Sequence, residues 1–265
     1  MFNIEDKKRI VIKLGSSTLT HNTGRLNIRR MENLVKIIAD IQNSGKQVTL
    51  VSSGSIALGR SKLGMSERPK ETRLKQACAA VGQCELMYMY DKLFGQYNLT
   101  VAQLLLTKYS IEGPRKQNIV NTMEELLSRG IIPIINENDT VAIDELELEI
   151  GENDSLGAYA AIIAKADLLV ILSDIDGFYD SNPNTNPNAK LIPVVHEIND
   201  EVRALATDAV SGLGTGGMIT KLNAAEIAMN GGIDMVILNG RKPETLYDFF
   251  DGKQVGTLFT AEKEK

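Results

Sequence analysis

This 265-residue chain predicts an α/β fold, a single αβα sandwich with a mainly parallel central sheet. Three observations carry that prediction. Short β-branched runs alternate with longer stretches of helical periodicity, the rhythm of strand–helix–strand units. The strand-like runs are nearly continuous in apolar residues, as strands covered on both faces must be. Several of them end in clusters of Gly, Ser, Asn or Asp, the kind of loop that leads from a strand into a helix. The length falls between one and two typical domains. It suffices to bury roughly 70–75% of the unfolded surface, so neither disulfide nor structural metal is required.

In chain order, Arg9–Leu14 (RIVIKL) reads as a buried strand running into Gly15-Ser16-Ser17. Ile28, Met31, Leu34, Val35, Ile38 and Ile41 recur every three or four residues and mark one helix face, which Gly45 is placed to end. Gln47–Ser52 (QVTLVS) is the second strand. Residues 72–93 form a long helix with Leu74, Cys78, Val81 and Leu86 inward. Further strands are expected at 99–105, 131–135, 168–172 and 235–238, with helical patterns at 118–129, 154–164 and 218–230. Two segments break the rhythm. Residues 144–150 (DELELEI) alternate acid and apolar, the period of an edge hairpin, with Asp144, Glu145, Glu147 and Glu149 as its solvated face. Residues 180–188 (DSNPNTNPN) are a polar Pro/Asn loop. Neither an internal repeat nor an inter-domain linker is found. The expectation is one domain over residues 1–265, with an N-terminal and a C-terminal lobe sharing a continuous sheet.

Composition removes several function classes. The formal charge is −5 and no basic block exists, so a nucleic-acid surface is not expected. No run of about 18 apolar residues is present. The longest candidate, 158–172, is broken by Lys165 and Asp167. The first eight residues are charged and lack an apolar signal region, which points to the cytoplasm. Cys78 and Cys84 fit no zinc spacing and read as reduced helix thiols. His21 and His196 are the only histidines, too few for a Ser-His-Asp hydrolase or a multi-histidine metal site.

The chemistry is expected where strands end in small polar clusters: KLGSS (13–17), SSGS (52–55), INEND (135–139) and SDIDG (173–177). Gly and Ser let backbone N–H groups approach an anion, and helix N-termini add partial positive charge. One such turn can be purely structural, but four at corresponding strand ends predict a shared polar cleft. Residues 212–217 (GLGTGG) match the dinucleotide spacing but follow no strand, so that reading is rejected. They form instead a Gly-rich loop entering a helix at Met218, with Lys221 in its first turn, an anion cradle with a cation beside it. Lys13 is a lone cation in an apolar strand. Either it snorkels to the surface or it faces a bound anion. Asn153 and Asp154 precede a helix and suit an N-cap, a role compatible with catalysis.

Taken together, VIKLGSS (11–17), VSSGSIALG (51–59), INENDTV (135–141), GEND (151–154), SDIDGFYD (173–180) and GTGGMITK (214–221) resemble the amino acid kinase family. The resemblance runs from about Arg9 to about Gly240, and is strongest to members that act on L-glutamate. Aspartate kinases open with Phe-Gly-Gly-Thr after the Lys and acetylglutamate kinases with a Gly-Gly pair, and KLGSS fits neither. Many glutamate-specific members carry a C-terminal PUA domain. This chain, ending shortly after Gly240, is similar to those of the kinase domain alone.

The resemblance implies transfer of the γ-phosphoryl group of ATP, with Mg²⁺, to the side-chain carboxylate of L-glutamate. The glutamate-binding lobe would be N-terminal and the ATP-binding lobe C-terminal. Lys13 and Lys221 would hold the transferring phosphoryl group, Gly15 and Ser16 would offer backbone donors, and Asp154 would orient the two lysines. Ser53, Asp139 and Asn153 would bind glutamate. Ser173 (where Thr is common), Asp174 and the segment Thr215, Gly216, Gly217, Met218, Ile219, Thr220 and Lys221 would bind ATP. L-proline as feedback inhibitor and a homo-oligomer are implied as well. The chemistry is coherent: a glutamate side chain with pKa about 4.3 is already ionised, so no strong general base is needed. The alternative of another class, an amino-acid sensor without turnover, is disfavoured because both lysines, Asp154 and the Gly-rich loop are intact.

Overall fold

A computed structural model describes residues 4–21, 23–111, 113–141, 153–183, 185–208 and 217–260. Strand β1 (Arg9–Leu14) leads into a single helical turn, α1 (Ser16–Leu19), and then α2 (Ile28–Asn43). The side chain of Asn27 caps α2 by accepting the amide of Arg30. Next come β2 (Gln47–Ser52), α3 (Ser55–Lys62) and the 24-residue α4 (Thr72–Gly95). The chain continues through β3 (Val101–Leu106), α5 (Lys108–Ile111), a 3₁₀ turn (Gly113–Arg115), α6 (Lys116–Ser128) and β4 (Ile132–Glu137). Beyond it lie α7 (Asn153–Ile163), β5 (Leu168–Ser173), β6 (Val194–Val195) and α8 (Asp200–Asp208). The last described elements are α9 (Gly217–Asn230), β7 (Asp234–Asn239), α10 (Thr245–Phe250) and β8 (Thr257–Phe259). The predicted edge hairpin at 144–150 lies outside the described residues.

The described strands form one sheet in the order β3-β4-β2-β1-β5-β7-β8-β6. From β3 across to β7 every pairing is parallel, as expected. The other edge differs: β8 runs antiparallel to β7, and β6 runs parallel to β8. These two strands are three and two residues long, too short to show a period in the sequence. The short helices α1, α3 and α5 escape prediction for a related reason. They start inside turn-like Gly/Ser/Thr sequence and are too brief to show an apolar stripe.

Strand parity then sorts the core into two layers. Val11, Val51, Ile171 and Ile237 share one apolar cluster with residues of α6, α7 and α9. Ile12, Leu50, Val170 and Leu238 share the other with α2, α4 and α10. Lys13 has the parity of Val11, so it belongs to the α7 face.

On α4 the expected inward set divides. Cys78 and Leu86 are buried, Val81 is half-buried and Leu74 is 37% exposed. The buried stripe runs instead through Gly82 and Gln83. The cause is a close crossing by α3. A Cβ on Gly59 would stand 1.8 Å from the Cys78 carbonyl oxygen, and one on Gly82 1.8 Å from that of Ser55. Hydropathy does not register a glycine contact, so the sequence pattern rotates the helix toward its larger apolar residues.

Candidate active site

Neighbouring parallel strands end at one edge of the sheet, so their polar loops meet there. They enclose a cleft of about 610 Å³. Lys13, Gly15 and Ser16 line it from β1 and the turn beyond, and Ser53 lines it after β2. Asp139 reaches it after β4, Ser173 and Asp174 at the end of β5, and Asn153 and Lys221 from the first turns of α7 and α9. The four loops singled out in the sequence therefore do converge.

Between these loops lies a buried ion triad. Lys13 Nζ is 2.5 Å from Asp154 Oδ1, and Lys221 Nζ is 3.1 Å from Oδ2. The lysine side chains are only 10% and 11% exposed and that of Asp154 2%. Thr220 Oγ1 also donates to Oδ2 at 3.2 Å, and Lys221 Nζ donates to the Gly217 carbonyl at 2.8 Å. The Lys13 stem fits because Gly157, three residues after Asp154, carries no side chain; a Cβ there would stand 3.3 Å from Lys13 Cβ. Lys13 thus does not snorkel to the surface. Its head group ends on a carboxylate at the cleft wall. Burial by itself would raise the Asp154 carboxyl, but the Lys13 and Lys221 ammonium groups outweigh it and hold the group below the ordinary carboxylate range. Two cations about one anion leave a net positive charge facing the cleft, which suits a phosphoryl group.

On one side of the triad, Asn153 Nδ2 donates to Ser53 Oγ, joining two of the expected glutamate ligands. Asp139 Oδ2 accepts from Ser55 Oγ at 3.1 Å. Asn136, 2% exposed and also in the cleft lining, reaches toward Ser55 and Gln83. Ser55 enters the sequence reading only within SSGS (52–55) and VSSGSIALG (51–59), and Gln83 does not enter it. Gln83 had one visible signal, an amide standing on the apolar stripe that carries Cys78 and Leu86.

On the other side, Ser173 Oγ donates to Asp174 Oδ1 at 3.4 Å, and Arg241 Nη2 lies 3.7 Å from Asp174 Oδ2. Of the segment expected to bind ATP, Lys221 lines the cleft and Thr220 turns to Asp154. Gly217 opens α9, while Met218 and Ile219 pack against the apolar cluster of that layer. Thr215 and Gly216 lie outside the described residues.

The chain resembles known proteins in sequence and in fold. The signature of the amino acid kinase family matches residues 8–239. The glutamate 5-kinase of Clostridium perfringens is 51% identical over 263 residues, covering 98% of this chain and 98% of the relative. The glutamate 5-kinase of Listeria innocua is 48% identical over 266 residues, covering 99% and 96%. Among solved structures, a T. acidophilum isopentenyl phosphate kinase product complex superposes with a TM-score of 0.66 at 18% identity, covering 95% and 100% of the two chains. The UMP kinase from Bacillus anthracis gives 0.63 at 17%, covering 97% of each. These two share the fold.

Proposed function

This chain belongs to the amino acid kinase family, and from that premise we propose that it phosphorylates L-glutamate. The γ-phosphoryl group of ATP passes to the side-chain carboxylate, giving L-glutamate 5-phosphate in the first step of proline biosynthesis. The observation that carries this reading is the Lys13–Asp154–Lys221 triad, set between two polar halves of one cleft. Relatives about half identical over nearly their whole length bear the name glutamate 5-kinase, which supports the choice of acceptor.

The chemical obstacle is electrostatic, since an anion must attack a polyanion. The side chains supply alignment and charge rather than a base. Lys13 and Lys221 neutralise charge on the phosphoryl oxygens in flight. Asp154 holds both ammonium groups at fixed positions. With its pKa pulled down by those cations, it is unsuited to take a proton near neutrality. Gly15 and Ser16 offer backbone donors, and Ser173 and Asp174 face the nucleotide. In the N-terminal lobe, Ser53 and Asn153 hold the glutamate and Asp139 pairs with its α-ammonium, because an enclosed cation needs an anionic partner. The C-terminal lobe takes ATP.

Mg²⁺ would enter on the ATP phosphates. Among the described residues no three His, Cys, Asp or Glu side chains converge on a common point. Such a cation would be held largely by phosphate oxygens and water. L-proline shares the α-amino acid head and would compete for the Asp139 end as a feedback inhibitor, and self-association is expected from the family. No helix among the described residues is long and apolar enough to cross a membrane. A cytoplasmic location agrees with the free cysteines Cys78 and Cys84.

The test is to trap the acyl phosphate with hydroxylamine while offering L-glutamate, L-aspartate and N-acetylglutamate in parallel. Hydroxamate from L-glutamate alone is expected. Equal product from N-acetylglutamate would overturn the acceptor assignment.

A further inference from the structure

Gln83 does not line the cleft, and none of the roles above uses it. It is 8% exposed, and its Oε1 accepts a hydrogen bond from Asn136 Nδ2 at 2.8 Å. The orientation of this pair is fixed by the backbone. Asn136 Oδ1 accepts the N–H of Glu137 at 2.9 Å, so its Nδ2 must be the end that faces Gln83 and Ser55. Gln83 must then present its oxygen, since the reverse would set one NH₂ group against another. This arrangement leaves Gln83 Nε2 buried with no hydrogen-bond partner among the described residues. An unpaired buried donor destabilises a fold, whereas a Met of similar volume in this helical stripe would not. Stability alone therefore does not select Gln at this position. What it supplies is the acceptor for Asn136.

Asn136 itself lines the cleft, and from it the contacts run on to Asp139. Its Nδ2 also stands 3.5 Å from Ser55 Oγ, and Ser55 Oγ donates to Asp139 Oδ2 at 3.1 Å. A serine hydroxyl that accepts from Asn136 has its single hydrogen left for Asp139. The adjacent residue braces the same serine from behind, because Gly82 leaves no room between α4 and the Ser55 carbonyl.

We propose that Gln83 is a positioning residue for the amino-acid substrate: through Asn136 and Ser55 it fixes the Asp139 carboxylate against which the substrate ammonium docks. This rests on the assignment of Asp139 made above.

Steady-state kinetics on the full chain test it. Gln83→Met should raise the glutamate KM by about fivefold or more while kcat and the ATP KM stay within about twofold. Gln83→Glu keeps an acceptor oxygen in place and should return the glutamate KM to within about twofold of the parent. In an Asn136→Ala background, Gln83→Met should add less than about a twofold change, because the two residues act through one contact. Should Gln83→Met fail to fold, Gln83→Asn, whose shorter side chain withdraws the acceptor, carries the same expectation. A glutamate KM that rises with Asp139→Ala but not with Gln83→Met overturns this proposal and leaves the Asp139 assignment standing. If Asp139→Ala leaves the KM unchanged, that assignment falls and this proposal falls with it. An equal effect of Gln83→Met with and without Asn136 also overturns the proposal, by showing that Gln83 acts elsewhere.

Discussion

At the scale of single residues, the burial of the Lys13 and Lys221 head groups changes what their loss should do. Lys13→Ala or Lys221→Ala should lower kcat by at least about a hundredfold, the size expected for removing one preorganised charge donor. Each should also lower the melting temperature, because Asp154 would keep a buried charge with only one cation beside it. A variant with parental turnover would remove that lysine from the mechanism. Asp154→Asn should be severely impaired. In the parent, the acid limb of the pH–rate profile should show no group near pH 7 that the substitution abolishes, since the Asp154 pKa lies below the ordinary carboxylate range. The sign for stability follows: the triad contributes fully above that range, and the contribution is lost as pH falls through the depressed value. Asp139→Ala makes a different prediction. The glutamate KM should rise more than about tenfold, at least 1.4 kcal/mol, with the ATP KM unchanged. If Asp139 only held a turn, calorimetry would register the loss and KM would not.

At the scale of elements, the crossing of α3 and α4 sets the wall of the glutamate half. Gly59 and Gly82 let the two backbones touch, and α3 begins with Ser55 at the cleft. Gly82→Ala cannot be absorbed by a side-chain shift, because the obstructing atom is the Ser55 carbonyl oxygen at 1.8 Å. The helices must separate. A stability loss of about 1–3 kcal/mol or more is expected, together with a raised glutamate KM. Gly95, at the end of the same helix, serves as the control, since a Cβ there would meet nothing within 4 Å; Gly95→Ala should change neither. Equal behaviour of the two variants in thermal unfolding and kinetics would show that the close crossing is not required.

At the scale of the whole molecule, the sheet has a chemical edge and a structural edge. Opposite the cleft, where β1 begins, Arg9 pairs with Glu124 of α6 at 2.8 Å, and Lys165 beyond α7 reaches the same carboxylate at 3.1 Å. Asp167, just before β5, accepts the backbone N–H groups of Lys8 and Arg9. The hydrogen bond from Arg9, followed by that from Lys165, lowers the Glu124 pKa from 4.5 to about 2. A depressed carboxylate stabilises the fold above its unfolded pKa and loses that contribution as pH falls through the folded one. Glu124→Gln should therefore flatten the stability curve between about pH 4.5 and about pH 2, read by chemical denaturation, with turnover unaltered. A slope identical to the parent's would exclude the cluster as a source of acid sensitivity. Much of this molecule was legible beforehand. The β-branched runs marked the parallel strands of the sheet, because burial on both faces demands continuous apolar sequence. The Gly/Ser/Asn/Asp clusters after them marked the cleft, and Lys13 and Lys221 stood out as charges in an apolar strand and beside a Gly-rich loop. Asp154 read locally as a helix N-cap, its link to the lysines coming only from the family resemblance. What local pattern could not hold were the meetings between distant segments. That Lys13 ends on Asp154 follows from strand parity, from β1 lying beside β5, and from α7 covering that face. That Gln83 touches Asn136 follows from a glycine-mediated helix crossing. Periodicity records how a segment meets its surroundings, apolar or wet. Which partner it meets is decided by the order of strands and the depth of helix contact, and these emerge only when the chain packs.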